Sequence, residues 1–128
     1  MLNIDKYSRV PIYEQIIQQV EMHIALGDLP PGELLPSVRS LSVQLSVNPN
    51  TLQKAYAELE RRGLCYTVPG NGRFIAQDAQ EKLRIGRQAL LGDIARTATE
   101  LKQAGIPLED VLAAAASAYN DPTTGGSK

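Results

Sequence analysis

The middle of this 128-residue chain carries the signals that most narrow its fold. Ser37 and Asn48 favour the N-cap position of a helix, and Pro49 suits the first helical position because its missing N–H is not needed there. Gly70-Asn71-Gly72 separates two segments that are rich in β-forming residues. The order predicts a short helix, a tight turn at Ser46-Val47, a second helix and a β-hairpin, which together form a helix-turn-helix with a hairpin behind it.

Apolar spacing and helix-breaking residues set the predicted bounds of the elements. The predicted helices cover residues 11–26, 38–45, 49–62, 82–104 and 108–119, and the predicted strands cover residues 64–68 and 73–76. Gly27 and Pro30-Pro31 end the first helix, because glycine adopts the left-handed conformation and proline lacks the amide hydrogen. Residues 33–35 are expected to be extended and to pair with the hairpin. The predicted fold class is therefore α+β, mostly α.

The first three predicted helices each carry an apolar face with helical spacing. The predicted core positions are Tyr13, Ile17, Val20 and Ile24, flanked by Ile12 and Ile16, then Val38, Leu41 and Leu45, and finally Leu52, Ala55, Tyr56 and Leu59. The opposite face of the third helix is polar and basic, with Asn50, Gln53, Lys54 and Arg61. Such a face suits contact with DNA. The alternative function for such a domain is a protein-interaction adaptor, which would expose an apolar or acidic face on this helix instead.

The C-terminal part carries apolar stripes that one copy of the chain cannot cover. The stripes comprise Leu83, Leu90, Ile94, Ala98 and Leu101 on the first helix, and Val111, Leu112, Ala115, Ala116 and Tyr119 on the second. Two helices are too small to bury a stable core alone, so a second copy of the chain is the simplest partner. The predicted organisation is a helix-turn-helix domain over residues 1–77, a two-helix dimerisation region over residues 78–120 and a disordered tail over residues 121–128.

Composition excludes several classes of function. No apolar run approaches the roughly 20 residues that span a bilayer, and the N-terminus lacks a signal-peptide core, so we expect a cytoplasmic protein with no membrane partner. Cys65 and His23 are the single cysteine and histidine, which excludes an internal disulfide and falls far short of a zinc site. Cys65 is expected to be buried, with a redox role as the alternative, and His23 to lie at the surface. With no nucleophile–base pair, we expect neither catalysis nor a cofactor.

The charge of the chain is unevenly distributed. A net charge of −1 would by itself argue against nucleic-acid binding. Residues 37–76, however, carry five arginines and lysines against two glutamates. The positive charge is therefore concentrated on the predicted helix-turn-helix, where it can meet the phosphates of DNA.

Four motifs stand in order between residues 11 and 75. They are Pro11-x-Tyr13-x-Gln15-Ile16, Gly27-x-Leu29-x-Pro31-Gly32-Glu33-x-Leu35-Pro36-Ser37-x-Arg39-x-Leu41, Val47-Asn48-Pro49-Asn50-Thr51 and Gly70-x-Gly72-x-Phe74-Ile75. Together they resemble the GntR family of bacterial transcriptional regulators, and the short helical tail is similar in length and pattern to its YtrA subfamily. The resemblance implies a winged helix-turn-helix and a homodimer on a palindromic DNA operator, usually acting as a repressor. In the YtrA subfamily it further implies control of operons that encode ABC transporters.

The resemblance assigns DNA-contacting roles to particular residues. The predicted set is Ser37, Arg39, Asn48, Asn50, Thr51, Gln53, Lys54, Gly70, Asn71, Gly72 and Arg73. Arg39 matches a DNA-contacting arginine of the family and can fork onto a phosphate or a guanine edge, with a solvated helix arginine or an ion pair to Glu33 as the alternatives. Pro49 replaces an arginine that many family members carry, so their base contact at this position is absent.

The remaining contacts are expected from the helix start and the hairpin tip. Helix N-termini present free N–H groups and the positive end of a dipole to phosphate, and Asn50 can pair with adenine. Glycines at the tip permit positive φ, and Arg73, where the family often has threonine, is expected to enter the minor groove or to clasp its phosphates. Whether a small-molecule effector exists is left open by the sequence. The tail offers little pocket volume, so an effector would bind at the dimer interface or between the tail and the hairpin, which is the wing of a winged helix.

Overall fold

The computed structural model describes residues 2–122 and confirms a mostly helical α+β chain. Its elements are α1 (Ile12–Leu26), α2 (Val38–Leu45), α3 (Pro49–Arg61), β1 (Cys65–Val68), β2 (Gly72–Ile75), α4 (Ala79–Gln88), α5 (Leu90–Gln103) and α6 (Leu108–Tyr119). They fall into two compact units, Met1–Arg84 and Ile85–Lys128. The first unit contains the helix-turn-helix and the hairpin.

The apolar faces of α1, α2 and α3 meet in the core of the first unit. Ile16, Leu52 and Leu59 are completely buried there. The predicted core is thereby confirmed, although its marginal members, Ile12, Tyr13, Val38 and Leu45, are only partly buried. Burying a leucine or isoleucine contributes about 1.5–3 kcal/mol, so these side chains dominate the stability of the unit.

The two helices of the helix-turn-helix begin at the predicted caps. The Ser37 hydroxyl accepts a hydrogen bond from the backbone N–H of Ser40 at 3.0 Å, and the Asn48 side chain accepts one from the N–H of Asn50 at 2.8 Å. Between them, Ser46 has a left-handed φ of 55°, which is uncommon for a residue with a Cβ. The caps and this turn together fix where α3 starts.

The hairpin is extended by a third segment of the chain. β1 and β2 pair in antiparallel register, with Cys65 opposite Ile75. Leu34 forms an isolated bridge with Phe74, and the N–H of Leu35 donates to the β2 carbonyl of Arg73 at 2.9 Å. This confirms the expectation that residues 33–35 pair with the hairpin, and it ties the segment before α2 to the hairpin.

The single helix predicted over residues 82–104 is in fact two helices. α4 begins at Ala79, three residues before the predicted start, and a single turn residue with helical dihedral angles, Ala89, separates it from α5. Gly86 and Gly92 flank this turn, and each glycine costs about 1 kcal/mol of helix stability relative to alanine. The apolar periodicity continues across the break, which is why the pattern alone did not reveal it.

The start of α4 belongs to the first unit. Ala79 and Leu83 are 0% and 8% exposed, and the side-chain amide of Gln80 donates to the Ile24 carbonyl at 3.0 Å. The unit consequently extends to Arg84, beyond the boundary predicted at residue 77. The assignment of Leu83 to the dimerisation face was wrong, because its side chain completes the core of the first unit.

The second unit leaves its apolar residues uncovered. Leu90, Ile94, Leu112 and Tyr119 are 54%, 58%, 59% and 88% exposed, and none of the residues described in α5 and α6 is buried. A groove of about 350 Å³ runs between the two helices, lined by Ile94, Ala98, Leu101, Val111, Ala114 and Ala115 among others. The predicted stripes on α5 and α6 thus come together. Disorder was predicted for residues 121–128, and residues 123–128 lie outside the described residues.

The lone cysteine and histidine have different outcomes. Cys65 is 4% exposed, as predicted, and its burial raises the pKa of the thiol to about 11. The surface position predicted for His23 was wrong: its side chain is 14% exposed, and Nδ1 lies 2.8 Å from Oδ2 of Asp28. Asp28 follows the glycine that ends α1, so the turn carries this carboxylate back over the imidazole. Within residues 2–122, no helix is long and apolar enough to cross a bilayer.

Candidate nucleic-acid interface

The start of α2 presents an arginine to solvent. Ser37 caps the helix, and Arg39 is its second residue; both are exposed. Across residues 2–122 the structure contains no ion pair between Arg39 and Glu33, the alternative partner. The guanidinium is therefore available for a phosphate or a guanine edge at the helix end where the dipole also attracts anions.

The start of α3 combines capping with exposed polar groups. The Asn48 side chain is occupied by the N–H of Asn50, and the Asn48 carbonyl accepts from the N–H groups of Thr51 and Leu52. Asn50 is exposed, whereas Thr51 is half-buried. Asn48 therefore acts mainly as a cap, and Asn50 is the better placed of these residues for a base edge.

Lys54 is held beside α1 by an aromatic ring. Its ammonium lies 4.4 Å from the centroid of the Tyr13 ring, while the residue as a whole is exposed, as is Gln53 next to it. An exposed cation–π contact contributes about 0.5–1 kcal/mol and does not neutralise the charge. The contact orients the ammonium at the polar face of α3, where it can meet phosphate.

The wing tip has the backbone geometry that its glycines predicted. Gly70 and Gly72 have φ values of 82° and 124°, and Asn71 between them is exposed. A Cβ built on Gly72 would lie 2.9 Å from Cδ1 of Leu34. Only glycine fits this position without displacing Leu34, so the tip is closely packed on one side and open to a groove wall on the other.

The Arg73 side chain packs against α3 and does not extend from the exposed tip. Its side chain is only 19% exposed, Nε donates to Oε1 of Glu60 at 3.3 Å, and Cζ lies 5.4 Å from the Tyr56 ring centroid. In this structure the guanidinium is engaged by Glu60 and Tyr56, so contact of Arg73 with the minor groove or its phosphates stays a prediction. Its place in the hairpin register, opposite Thr67, puts it against α3, and which face of a hairpin packs inward is decided by tertiary contacts.

Arg61 and Arg62 have the structural role expected of them. Glu58 accepts hydrogen bonds from both, at 2.6 Å and 2.8 Å, and these bonds lower its pKa to about 2. Arg62 also donates to Glu21 of α1 at 2.7 Å. The two arginines thus bond to carboxylates of α3 and α1 near the end of α3.

Sequence reasoning missed two polar residues that join α3 to the hairpin. Thr67 donates its hydroxyl proton to Oε1 of Glu60 at 2.8 Å, the same oxygen that Arg73 contacts. The hydrogen bond from Thr67 is the main reason that the pKa of Glu60 lies below its usual value. Glu60 follows Tyr56 by one helical turn, but its role depends on the hairpin register, which the sequence pattern alone does not fix.

Comparison with known proteins places this geometry in a family. The family model described as bacterial regulatory proteins, gntR family, matches residues 12–75, the range that contains the helix-turn-helix and the hairpin. The chain belongs to the GntR family. It is 41% identical over 110 residues to the HTH-type transcriptional repressor YtrA of Bacillus subtilis (strain 168), and the match covers 85% of each protein.

Solved structures are similar over nearly the whole chain or over its first unit. A GntR family transcriptional regulator from Listeria monocytogenes has a TM-score of 0.70 at 34% identity, covering 89% of this chain and 98% of that one. AraR(DBD) in complex with operator ORE1 has a TM-score of 0.51 at 29% identity, covering 59% of this chain and 93% of that one. These similarities confirm the winged helix-turn-helix and the resemblance to YtrA. They identify a DNA-binding transcriptional regulator rather than an enzyme.

Proposed function

We propose that this chain binds a palindromic DNA operator as a homodimer and represses transcription from it. The observation that carries the proposal is an exposed polar surface built on the first unit, which we call the recognition surface. It comprises Ser37, Arg39, Asn48, Asn50, Gln53, Lys54, Gly70, Asn71 and Gly72. Helix starts, a basic side chain and a glycine tip on one folded unit are the parts that a winged helix uses on a duplex.

Electrostatics support DNA as the ligand of the recognition surface. Arg39 and Lys54 are exposed, whereas the nearby Glu58 and Glu60 are engaged by arginines or by Thr67. The positive charge at the starts of α2 and α3 is thus left for phosphate, and the affinity should fall steeply as salt concentration rises.

The groove on the second unit supports the homodimer. Its lining is almost entirely apolar, and in a single chain it stays open to water. Each square ångström of apolar surface that a second copy covers contributes about 25 cal/mol. Two recognition surfaces related by a two-fold axis would read half-sites about 34 Å apart, which accounts for a palindromic operator.

Repression and an ABC-transporter operon as the target complete the proposal. The relative from Bacillus subtilis is named a repressor, and the resemblance to the YtrA subfamily implies the operon. A volume of about 350 Å³ places the groove within the range of ligand pockets, about 300–1,000 Å³. The tail is therefore less limited as an effector site than its sequence suggested, and an effector that binds there would compete with the second copy.

Selection of random duplex DNA by the purified protein, followed by sequencing of the retained fraction, tests the proposal. The expected result is an enriched palindrome with half-sites about one helical turn apart. In a bacterial genome that encodes the protein, the palindrome should lie upstream of an ABC-transporter operon, and adding the protein should lower transcription from that promoter in vitro. Enrichment of a single half-site would contradict the dimer, and no enrichment at low salt would favour the adaptor alternative.

A further inference from the structure

A single carboxylate oxygen of α3, the recognition helix, contacts both strands of the wing, which is the hairpin of β1 and β2. Oε1 of Glu60 accepts a hydrogen bond from Thr67 of β1 at 2.8 Å and one from Arg73 of β2 at 3.3 Å. Thr67 and Arg73 are directly opposite each other in the hairpin register. The carboxylate of α3 therefore holds the two strands together at the Thr67–Arg73 pair, next to the tip.

The outer half of the wing has few other supports. Its base is anchored by buried Cys65 and Ile75, but a cavity of about 310 Å³ separates the tip and Arg73 from the start of α2. Towards the tip, the hairpin is otherwise held by the hydrogen bond from the Leu35 N–H to the Arg73 carbonyl, on the edge of β2, and by the Leu34 side chain beside Gly72. Packing alone thus leaves space into which the outer wing could tilt.

The same cluster reaches the start of α2. The Arg73 guanidinium lies over the ring of Tyr56, and the Tyr56 hydroxyl donates to the carbonyl of Pro36 at 2.8 Å. Pro36 directly precedes Ser37, the cap of α2. The wing, the recognition helix and the start of α2 are therefore connected through one set of buried and half-buried side chains.

We propose that Glu60 is a positioning residue that sets the angle of the wing relative to α3 and thereby the fit of the wing tip to DNA. The inference rests on the proposed operator binding. Glu60 carries a negative charge and would repel phosphate if it faced the duplex directly. Its contribution comes through Thr67 and Arg73, which it holds in place.

The sign of the effect on affinity separates positioning from simple electrostatics. Glu60→Gln removes a negative charge near DNA, so charge alone predicts tighter binding. The positioning role predicts weaker binding, by about tenfold for Glu60→Ala and about threefold for Glu60→Gln, whose amide oxygen still accepts a weaker bond. Glu58→Gln is the matched control, because it removes the same charge from the same helix without touching the wing, and it should not weaken binding.

Two further measurements test whether the loss of affinity arises through the wing. In the free protein, amide hydrogen exchange over residues 67–73 should accelerate in Glu60→Ala, while exchange in the core of α3 and the melting temperature stay close to wild type. Asn71→Glu disables the tip by repulsion from phosphate. In that background Glu60→Ala should cause no further loss of affinity, because the wing no longer contributes.

The binding assays use the duplex enriched by selection. Loss of affinity in Glu60→Ala and Glu60→Gln with a loosened wing would support the proposal. Unchanged or tighter binding by these variants, or an additive loss in the Asn71→Glu background, would overturn it while leaving operator binding intact. Failure of the wild-type chain to bind any duplex would overturn the proposed function, and this inference with it.

Discussion

The two units of this chain use similar apolar side chains and reach opposite results. In the first unit, Ile16 and Leu52 are completely buried, whereas Ile94 and Leu112 of the second unit are 58% and 59% exposed. Three helices, the hairpin and the start of α4 converge around the first set, but only two helices meet around the second. An apolar stripe at helical spacing thus becomes a core only where enough elements converge, and elsewhere it becomes a surface that needs a partner.

The contacts of polar side chains show how the first unit is held together. In the first unit they join distant segments, as Arg62 does with Glu21 and Tyr56 with Pro36. In the second unit, Arg96 bonds to Asp93 one turn earlier along α5. The first unit is therefore fixed by long-range contacts of its own, and we expect the stability of the second unit to depend on a second copy.

Ending the chain after Arg84 should separate the folding of the first unit from dimerisation, and it is the change with the largest expected effect. The truncated chain keeps Ala79 and Leu83 and should stay folded and monomeric. Its affinity for the operator should fall by about 100- to 10,000-fold, because two half-sites are no longer bound by linked subunits. Sedimentation and fluorescence anisotropy would measure both effects, and a truncated chain that sediments as a dimer would refute the role of α5 and α6. A chain ended after Gln77 is the control, and it should melt at a lower temperature because it lacks the start of α4.

Leu52→Ala and Leu112→Ala make the same chemical change in the two units. Leu52→Ala should cost about 2–5 kcal/mol of unfolding free energy, because it leaves a cavity in a closed core. Leu112→Ala should cost about 0.5 kcal/mol at low protein concentration, as for a surface position, and more at high concentration. Urea unfolding at two concentrations measures both, and equal losses in the two variants would contradict the contrast between the units.

Ile94→Glu should break the dimer and leave the first unit intact. The new carboxylate would be buried without a partner if a second copy covered the groove, which disfavours association strongly. Lys102→Glu places the same group on α5 outside the groove lining and serves as the control. Analytical ultracentrifugation should show a monomer for the first variant and a dimer for the second. A dimeric Ile94→Glu chain would mean that another surface holds the copies together.

Arg39→Ala tests whether DNA binding resides in the first unit. Losing a forked arginine contact should weaken operator binding by at least about tenfold, with little change in melting temperature because the side chain is exposed. Arg96→Ala removes an exposed arginine from the second unit and should leave the affinity close to wild type. Electrophoretic mobility shifts on the selected duplex would compare them, and equal affinities would remove Arg39 from the interface.

Acid should reveal the ion pairs of the first unit. The pKa of Glu58 is lowered from 4.5 to about 2 by its bonds to Arg61 and Arg62, so the ionised form stabilises the fold above pH 4.5. That stabilisation is lost as the pH falls from 4.5 towards 2. Glu58→Gln should therefore flatten the decline of the melting temperature over this interval, while Glu14→Gln, which changes an exposed carboxylate of α1, should not. Parallel declines in all three proteins would show that Glu58 does not contribute.

Local signals in the sequence predicted the elements that end or begin at special residues. Ser37 and Asn48 cap α2 and α3 as expected, and Gly70 and Gly72 take positive φ at the wing tip. These features depend on the chemistry of one residue and its immediate neighbours. The break at Ala89 was missed because an apolar period can continue through a turn.

Positions that depend on distant segments were harder to predict. Leu83 continues the apolar spacing of the tail, yet it packs into the first unit. Arg73 lies next to the tip in sequence, yet it bonds to Glu60 on α3. In both cases the sequence showed the type of side chain correctly, but not the segment that it meets.

By itself, the sequence determined the helix-turn-helix and the hairpin, because caps, glycines and apolar spacing act over a few residues, and its motifs identified the family. The tertiary structure alone decided where the first unit ends, which side of the wing faces α3, and that the carboxylate of Glu60 joins both strands. These depend on packing between segments far apart in the chain, and helical or strand periodicity carries no information on which distant surfaces meet.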